Sequence, residues 1–170
     1  MIDEIETEVQ QAEPGTKPRY YVDLDWHQRH GRSFRTLMES RLCSSCRARV
    51  GTEVEERVTR VGRRKGEVVH DVRMVPFPAN PVAQVRDCCS KSKDYIHPNM
   101  ALREAIFRVI IANGNQPLNA EEICQQLEWM GYGERARFIS PDTIQRLLEK
   151  DDFYGFAVVP GSANTPAEAA

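Results

Sequence analysis

Apolar residues recur at helical spacing three times in the last third of the chain. Leu102, Ile106, Val109 and Ile110 lie three or four positions apart and predict a helix over 100–111. Asn113-Gly114 then suits a left-handed cap. Ile123, Leu127 and Met130 mark a second helix, opened by Asn119 with Glu122 three positions on, which is the capping-box spacing. Gly131 and Gly133 stop it. Ile144, Leu147 and Leu148 mark a third, with Ser140 as cap residue and Pro141 at the first helical position. Beyond Asp151-Asp152, the run 153–159 reads as a closing strand.

The pattern is thinner upstream. Phe34, Leu37, Met38 and Leu42 give one apolar face to a predicted helix over 33–42, with Ser33 as its N-cap. Two β-prone runs, about 54–61 and 68–75, flank Gly62-Arg63-Arg64-Lys65-Gly66 and predict a hairpin. The first run is also open to helix, because residues 53–57 do not alternate cleanly. Pro76, Pro78 and Pro81 enforce an extended stretch after it. Residues 1–18 and 160–170 lack any period that packs and read as tails. The expected fold class is α+β: a small N-terminal module of helix plus β-hairpin over 19–97, then a three-helix domain over 98–159. The boundary is placed near His97-Pro98, where proline disfavours helix at the residue before it.

The C-terminal part resembles the HARE-HTH type of winged-helix domain over about residues 98–159. The residues that carry the resemblance are the first helix, the approach Asn113-Gly114-Asn115-Gln116-Pro117-Leu118-Asn119-Ala120-Glu121-Glu122-Ile123, the third helix from Ser140-Pro141 to Leu148, and the closing Phe153-Tyr154-Gly155-Phe156. The resemblance implies a helix-turn-helix fold with roles in transcription-linked or chromatin-linked proteins, on DNA or as a protein docking unit. The wing departs from that pattern, with one clear strand in place of a hairpin. The third helix also presents Asp142, Glu149, Asp151 and Asp152 beside Arg146 and Lys150. Phosphate contacts need Lys and Arg, so protein docking is expected ahead of DNA reading there, with Arg146 as a local nucleic-acid contact.

Charge sharpens the division. The 170-residue chain carries a formal net charge of −2. Residues 17–97 hold 17 Lys/Arg against 10 Asp/Glu, and residues 98–160 hold 6 against 9. A basic N-terminal body is thus joined to an acidic C-terminal one. No run of eighteen apolar residues spans a membrane. The acidic start, with Asp3, Glu4, Glu6 and Glu8, is unlike a secretory leader, and a cytoplasmic location is expected.

The chemistry lies in the cysteines. Cys43 and Cys46 form a CxxC, with 41 residues between Cys46 and the pair Cys88-Cys89. Two cysteines three apart place both sulfurs on one tetrahedral ion, and zinc is the expected occupant. The expected ligands are Cys43, Cys46, Cys88 and Cys89. Adjacent side chains tend to diverge, which leaves His97, His70 or His27 as a substitute for one of them. A redox CxxC normally sits at a helix N-terminus. Here the predicted helix ends just before Cys43, so its dipole would raise the thiol pKa. Cys124, alone within a helical pattern, reads as a small buried hydrophobe.

Arg47 and Arg49 crowd the CxxC, and Arg63, Arg64 and Lys65 occupy the hairpin turn. Such a basic module is expected to grip a phosphate backbone. The function expected is therefore a non-enzymatic, nucleic-acid-associated regulatory or accessory protein whose winged helix docks a protein. A purely protein-interaction subunit with structural zinc is the second expectation. The third is a hydrolase or nuclease built on His27, His30 and Asp23 or Asp25, although no H-E-x-x-H spacing is present. Residues 26–30 are otherwise expected to be a polar, exposed connection.

Overall fold

The computed structural model describes residues 17–162. Of the tails expected at 1–18 and 160–170, residues 1–16 and 163–170 lie outside the described residues. The chain is mixed α+β: strand β1 (Arg19–Val22), helices α1 (Leu24–Arg29), α2 (Phe34–Glu39) and α3 (Ser44–Ala48), the hairpin strands β2 (Glu53–Val61) and β3 (Val68–Pro76), then α4 (Pro81–Asp87), α5 (Leu102–Ala112), β4 (Leu118–Asn119), α6 (Ala120–Trp129), α7 (Pro141–Glu149) and β5 (Phe156–Val158). Among the described residues, no helix is long and apolar enough to cross a membrane.

The three C-terminal helices form where expected, each for a local reason. Asn119 caps α6 through a complete capping box with Glu122. Ser140 accepts a hydrogen bond from the Thr143 N–H, and Pro141 opens α7. Gly114, at φ 72°, turns the chain out of α5. The expected strand over 153–159 is shortened to its last half. The Asp151 carboxylate accepts from the N–H groups of Phe153, Tyr154, Gly155 and Phe156 and folds the first half into a turn. Gly155, at φ 74°, is required there. A Cβ at this position would lie 3.0 Å from the Trp26 ring and 3.2 Å from the Asp23 carbonyl oxygen.

Strand pairing crosses the boundary expected at His97-Pro98. β1 is the central strand of a three-stranded antiparallel sheet, with β4 on one side and β5 on the other. Tyr20 sits opposite both Leu118 and Val158, and Val22 opposite Phe156. Tyr20 and Val22 are buried beneath the helices. Where the backbone ladder ends, Asn115 continues it with its side chain. Its Oδ1 accepts from the Val22 N–H at 2.8 Å, and its Nδ2 donates to the Val22 carbonyl at 2.9 Å. Ser162, assigned by sequence to the tail, is buried and accepts from the Arg19 N–H. The strand missing from the closing segment therefore comes from the other end of the chain.

One continuous core joins the two halves. Met38, Leu42, Phe77 and Val85 pack in the same cluster as Ile106, Phe107, Ile110, Ile123, Leu127 and Ile144. The buried stripe of α5 is wider than its sequence period implied, adding Ala105, Phe107 and Ile111. Glu104 ties the halves electrostatically. It accepts two hydrogen bonds from Arg41 at 2.7 Å, one from Arg108 at 2.7 Å and one from the Tyr154 hydroxyl at 2.8 Å. Burial alone would raise its pKa, but the two guanidiniums and the hydroxyl hold it below the ordinary glutamate value.

The hairpin stands apart from this core. β2 and β3 pair over nine residues, from Glu53 opposite Pro76 to Val61 opposite Val68. The alternative of a helical first run is excluded by this ladder. Most side chains of both strands are exposed, so the hairpin is an arm that packs only at its base.

A chain beginning at Pro98 leaves β4 and β5 without the strand between them. Such a fragment is expected to lose the cooperative thermal transition of the full chain, followed by circular dichroism. A transition of undiminished cooperativity and midpoint would contradict the shared sheet.

Candidate metal centre

Two short helices present the cysteines. Contrary to the sequence expectation, the helix after Ser33 does not run to Leu42. It ends at Glu39, and α3 starts afresh at Ser44. Cys43 is thus the N-cap of α3, in extended backbone (φ −63°, ψ 164°), rather than the residue after a helix C-terminus. From the N-cap and from within the first turn, Cys43 and Cys46 direct both sulfurs to one side. The expected upward shift of the Cys43 thiol is reversed. A hydrogen bond with the Ser45 hydroxyl (3.2 Å), together with the Cys46 N–H, brings it down to about 6 against the opposing effect of burial.

The second pair comes from the end of α4. Asn80 caps this helix through the Ala83 N–H, and Pro81 starts it. On a continuing helix the side chains of Cys88 and Cys89 would diverge. Cys88 instead breaks the helix, at φ −128° and ψ −67°, and Cys89 opens a short 3-10 turn (Cys89–Lys91). The break lets both cysteines join the cluster.

All four sulfurs lie within 4.8 Å of one another, with Cys46 and Cys88 3.6 Å apart. Four thiolates at about 2.3 Å from one ion set tetrahedral edges of about 3.8 Å, between these two values. Cys46 and Cys89 are buried, Cys43 is half-buried and Cys88 is exposed. Gln84 donates from Nε2 to the Cys46 sulfur at 3.2 Å. Without a cation, four adjacent thiols cannot all ionise. Burial, with its neighbouring thiols, pushes Cys89 up to about 12, and the hydrogen bond with Cys46 pushes Cys88 up. A divalent cation inverts this by favouring four thiolates at once. These four residues could hold a metal ion.

The histidine substitutes do not join the cluster. His97 accepts from the Asn99 N–H through Nδ1. His70 lies on the arm opposite Thr59. His27 is buried on α1, and its Nε2 donates to the Tyr154 carbonyl at 2.8 Å. Gln28, Arg29 and His30 are exposed as expected over 26–30, but the segment lies on helix α1 and its C-cap rather than in a connection, and His27 is buried. His30 stacks on Trp26 at 4.0 Å and bonds the Trp26 carbonyl through Nδ1, and Asp23 is both the N-cap of α1 and the ion-pair partner of Arg29. Cys124 is half-buried against the core, with its sulfur 3.6 Å from the Ile139 carbonyl oxygen.

The basic residues divide by position. Arg47 donates to the carbonyls of Ser40 and Leu42, closing the turn between α2 and α3. Arg49 lies 4.1 Å over the Phe77 ring at the base of the arm. Arg146 reaches back along its own helix to the Asp142 carbonyl. Arg63, Arg64 and Lys65 are exposed at the far end of the arm, and among the described residues none of the three forms an ion pair. A cleft of about 330 Å³ opens beside Cys43 and Cys89, rimmed by Arg41, Arg47 and Arg108. Arg41 and Arg108 share the Glu104 carboxylate, while Arg47 forms no ion pair among the described residues.

Two supporting residues were legible but not singled out. Gln84 lies one helical turn before Cys88, and Ser45 lies inside the CxxC. Glu104 carried no comparable signal, because its partners are distant in sequence.

Metal analysis of the purified chain is expected to give one ion per chain. Cys46→Ser is expected to abolish stoichiometric binding and to lower the thermal midpoint, whereas Cys124→Ser leaves metal content unchanged. Full occupancy in the Cys46 variant would contradict the site.

No protein-family model, curated protein or solved structure matches this chain, and its function is read from its own chemistry.

Proposed function

We propose that this chain is a non-enzymatic nucleic-acid-associated accessory protein in which a zinc ion on Cys43, Cys46, Cys88 and Cys89 fixes the base of a basic arm. The observation that carries the proposal is the placement of Arg63, Arg64 and Lys65. They stand at the end of a nine-pair exposed hairpin, free of ion pairs among the described residues. On the same arm Arg60 and Arg73 are paired with Asp71 and Glu56. Three cations left unbalanced at the tip suit a polyanion, and phosphate contacts supply the sequence-independent part of such binding. Zinc fits the donors, because four thiolates in a closed tetrahedron are its usual structural site.

In this reading the C-terminal helices form a winged helix of the HARE-HTH type that docks a protein. Its third helix, α7, exposes Asp142 and Glu149 as well as Arg146 and Lys150, which suits phosphate poorly. Two aromatic side chains nearby are 83% and 88% exposed, Trp129 at the end of α6 and Phe138 before α7. Their neighbours Glu128 and Arg137 form an ion pair. Exposed aromatics are enriched at protein interfaces. That observation also favours the second reading, a purely protein-binding subunit.

Fluorescence anisotropy across a salt series separates the two. The full chain is expected to bind short nucleic acids with steep salt dependence. Arg63→Gln, Arg64→Gln and Lys65→Gln combined are expected to reduce the log–log salt slope by about three. An unchanged slope, or no binding at low salt, would leave the protein-binding reading.

A further inference from the structure

The two faces of the arm differ in a way that identifies the nucleic acid it fits. Directly opposed residues of an antiparallel pair share a face. One face carries Arg57 opposite Val72, Thr59 opposite His70, and Val61 opposite Val68. From Arg57 outward this face holds no carboxylate, whereas Glu53 and Glu55 stand on it nearer the base. Its valines are widely exposed, Val61 at 87% and Val68 and Val72 at 57% each. The other face carries Val58 opposite Asp71 and Arg60 opposite Val69, with Glu67 beyond. Its cations are already paired, Arg60 with Asp71 and Arg73 with Glu56.

We infer that the arm enters the major groove of B-form duplex DNA with the Arg57–Thr59–Val61 face toward the base edges. The inference rests on the proposed nucleic-acid function and narrows it. The five residues from Arg57 to Val61 extend about 17 Å, about half a turn of the duplex. The B-form major groove, about 12 Å wide, admits a two-stranded ribbon, whereas the A-form groove of duplex RNA is too narrow for side chains to read. The composition of the face matches what that groove displays. Valine methyls suit thymine methyl groups, while arginine, threonine and histidine offer hydrogen bonds to base edges. In that seating Arg63, Arg64 and Lys65 meet the phosphates at the groove wall. Turning the arm over would instead bring Asp71 and Glu67 against the DNA.

The test uses the metal-loaded full chain and 20-base-pair probes of mixed sequence. Wild type is expected to bind duplex DNA at least 10-fold more tightly than duplex RNA of the same sequence. It is also expected to lose binding to a DNA duplex whose cytosines carry glucosylated hydroxymethyl groups, which fill the major groove. Thr59→Glu and Val69→Glu add the same charge to opposite faces at neighbouring positions, both exposed, with an unchanged thermal midpoint as control. Thr59→Glu is expected to weaken duplex DNA binding at least 10-fold and Val69→Glu less than 3-fold. Equal losses from the two variants, equal affinity for duplex RNA, or tight binding to the glucosylated duplex would each overturn the groove assignment. Those outcomes leave the phosphate-binding function standing, because that function fails if the tip variants retain the wild-type salt dependence or if no nucleic acid binds at low salt. Absence of all nucleic-acid binding would overturn both.

Discussion

The convergence of four sulfurs from α3 and α4 constrains most of what this chain can do. The cysteines close a loop whose middle is the arm, and the arm's own contacts are few. A lone two-stranded hairpin is marginal in water, and here both faces are largely exposed. Its base must therefore be held from outside. Arg49 stacked on Phe77 and the hydrogen bond from the Phe77 N–H to the Thr52 carbonyl make the local grip. α3 and α4, flanking that base, carry the cysteines. An ion bound across them would fasten both ends of the arm at once. Structural zinc sites contribute roughly 10 kcal/mol or more of folding free energy, well above any single contact of the arm.

The clamp is in turn seated on the C-terminal helices. Arg41 lies between α2 and α3, just before the CxxC, and its guanidinium is bound to Glu104 of α5. Arg108 and Tyr154 complete the same carboxylate's shell. Breaking a buried charge cluster of this kind costs about 3–5 kcal/mol, because the remaining charges lose their partner. With β1 inserted between β4 and β5, it makes the basic and acidic parts one packed body. Charge is segregated on a shared scaffold: the arm projects cations, while α7 mixes both signs.

Local structure was legible where the signal is local. The capping box at Asn119, the Ser140-Pro141 start and the Gly62-to-Gly66 turn each specify their element within a few residues. The apolar spacing of Ile106, Val109 and Ile110 placed the core of α5. Two features were not legible in the same way. The role of β1 depends on pairing with strands about a hundred residues away, and a four-residue run such as Arg19–Val22 carries no mark of its partners. The restart of helix at Ser44 was hidden because Leu42 kept the helical period of Phe34 and Met38, although the chain had already turned. At the candidate metal site the four cysteines were legible from spacing, but their convergence was not. It requires the break at Cys88, a backbone choice that adjacent cysteines do not announce. The basic residues show the same limit. Arg47 and Arg63 look alike in sequence, yet one closes a turn on two carbonyls and the other is exposed at the arm's end with no ion pair among the described residues.

The measurement that tests the account most directly is duplex DNA affinity before and after removal of the metal with a chelator, read by anisotropy at fixed salt. If the clamp holds the arm in place, stripping the ion weakens binding at least 10-fold although every arm residue is intact, and restoring zinc restores it. Unchanged affinity in the metal-free chain would contradict the dependence of the arm on the four cysteines.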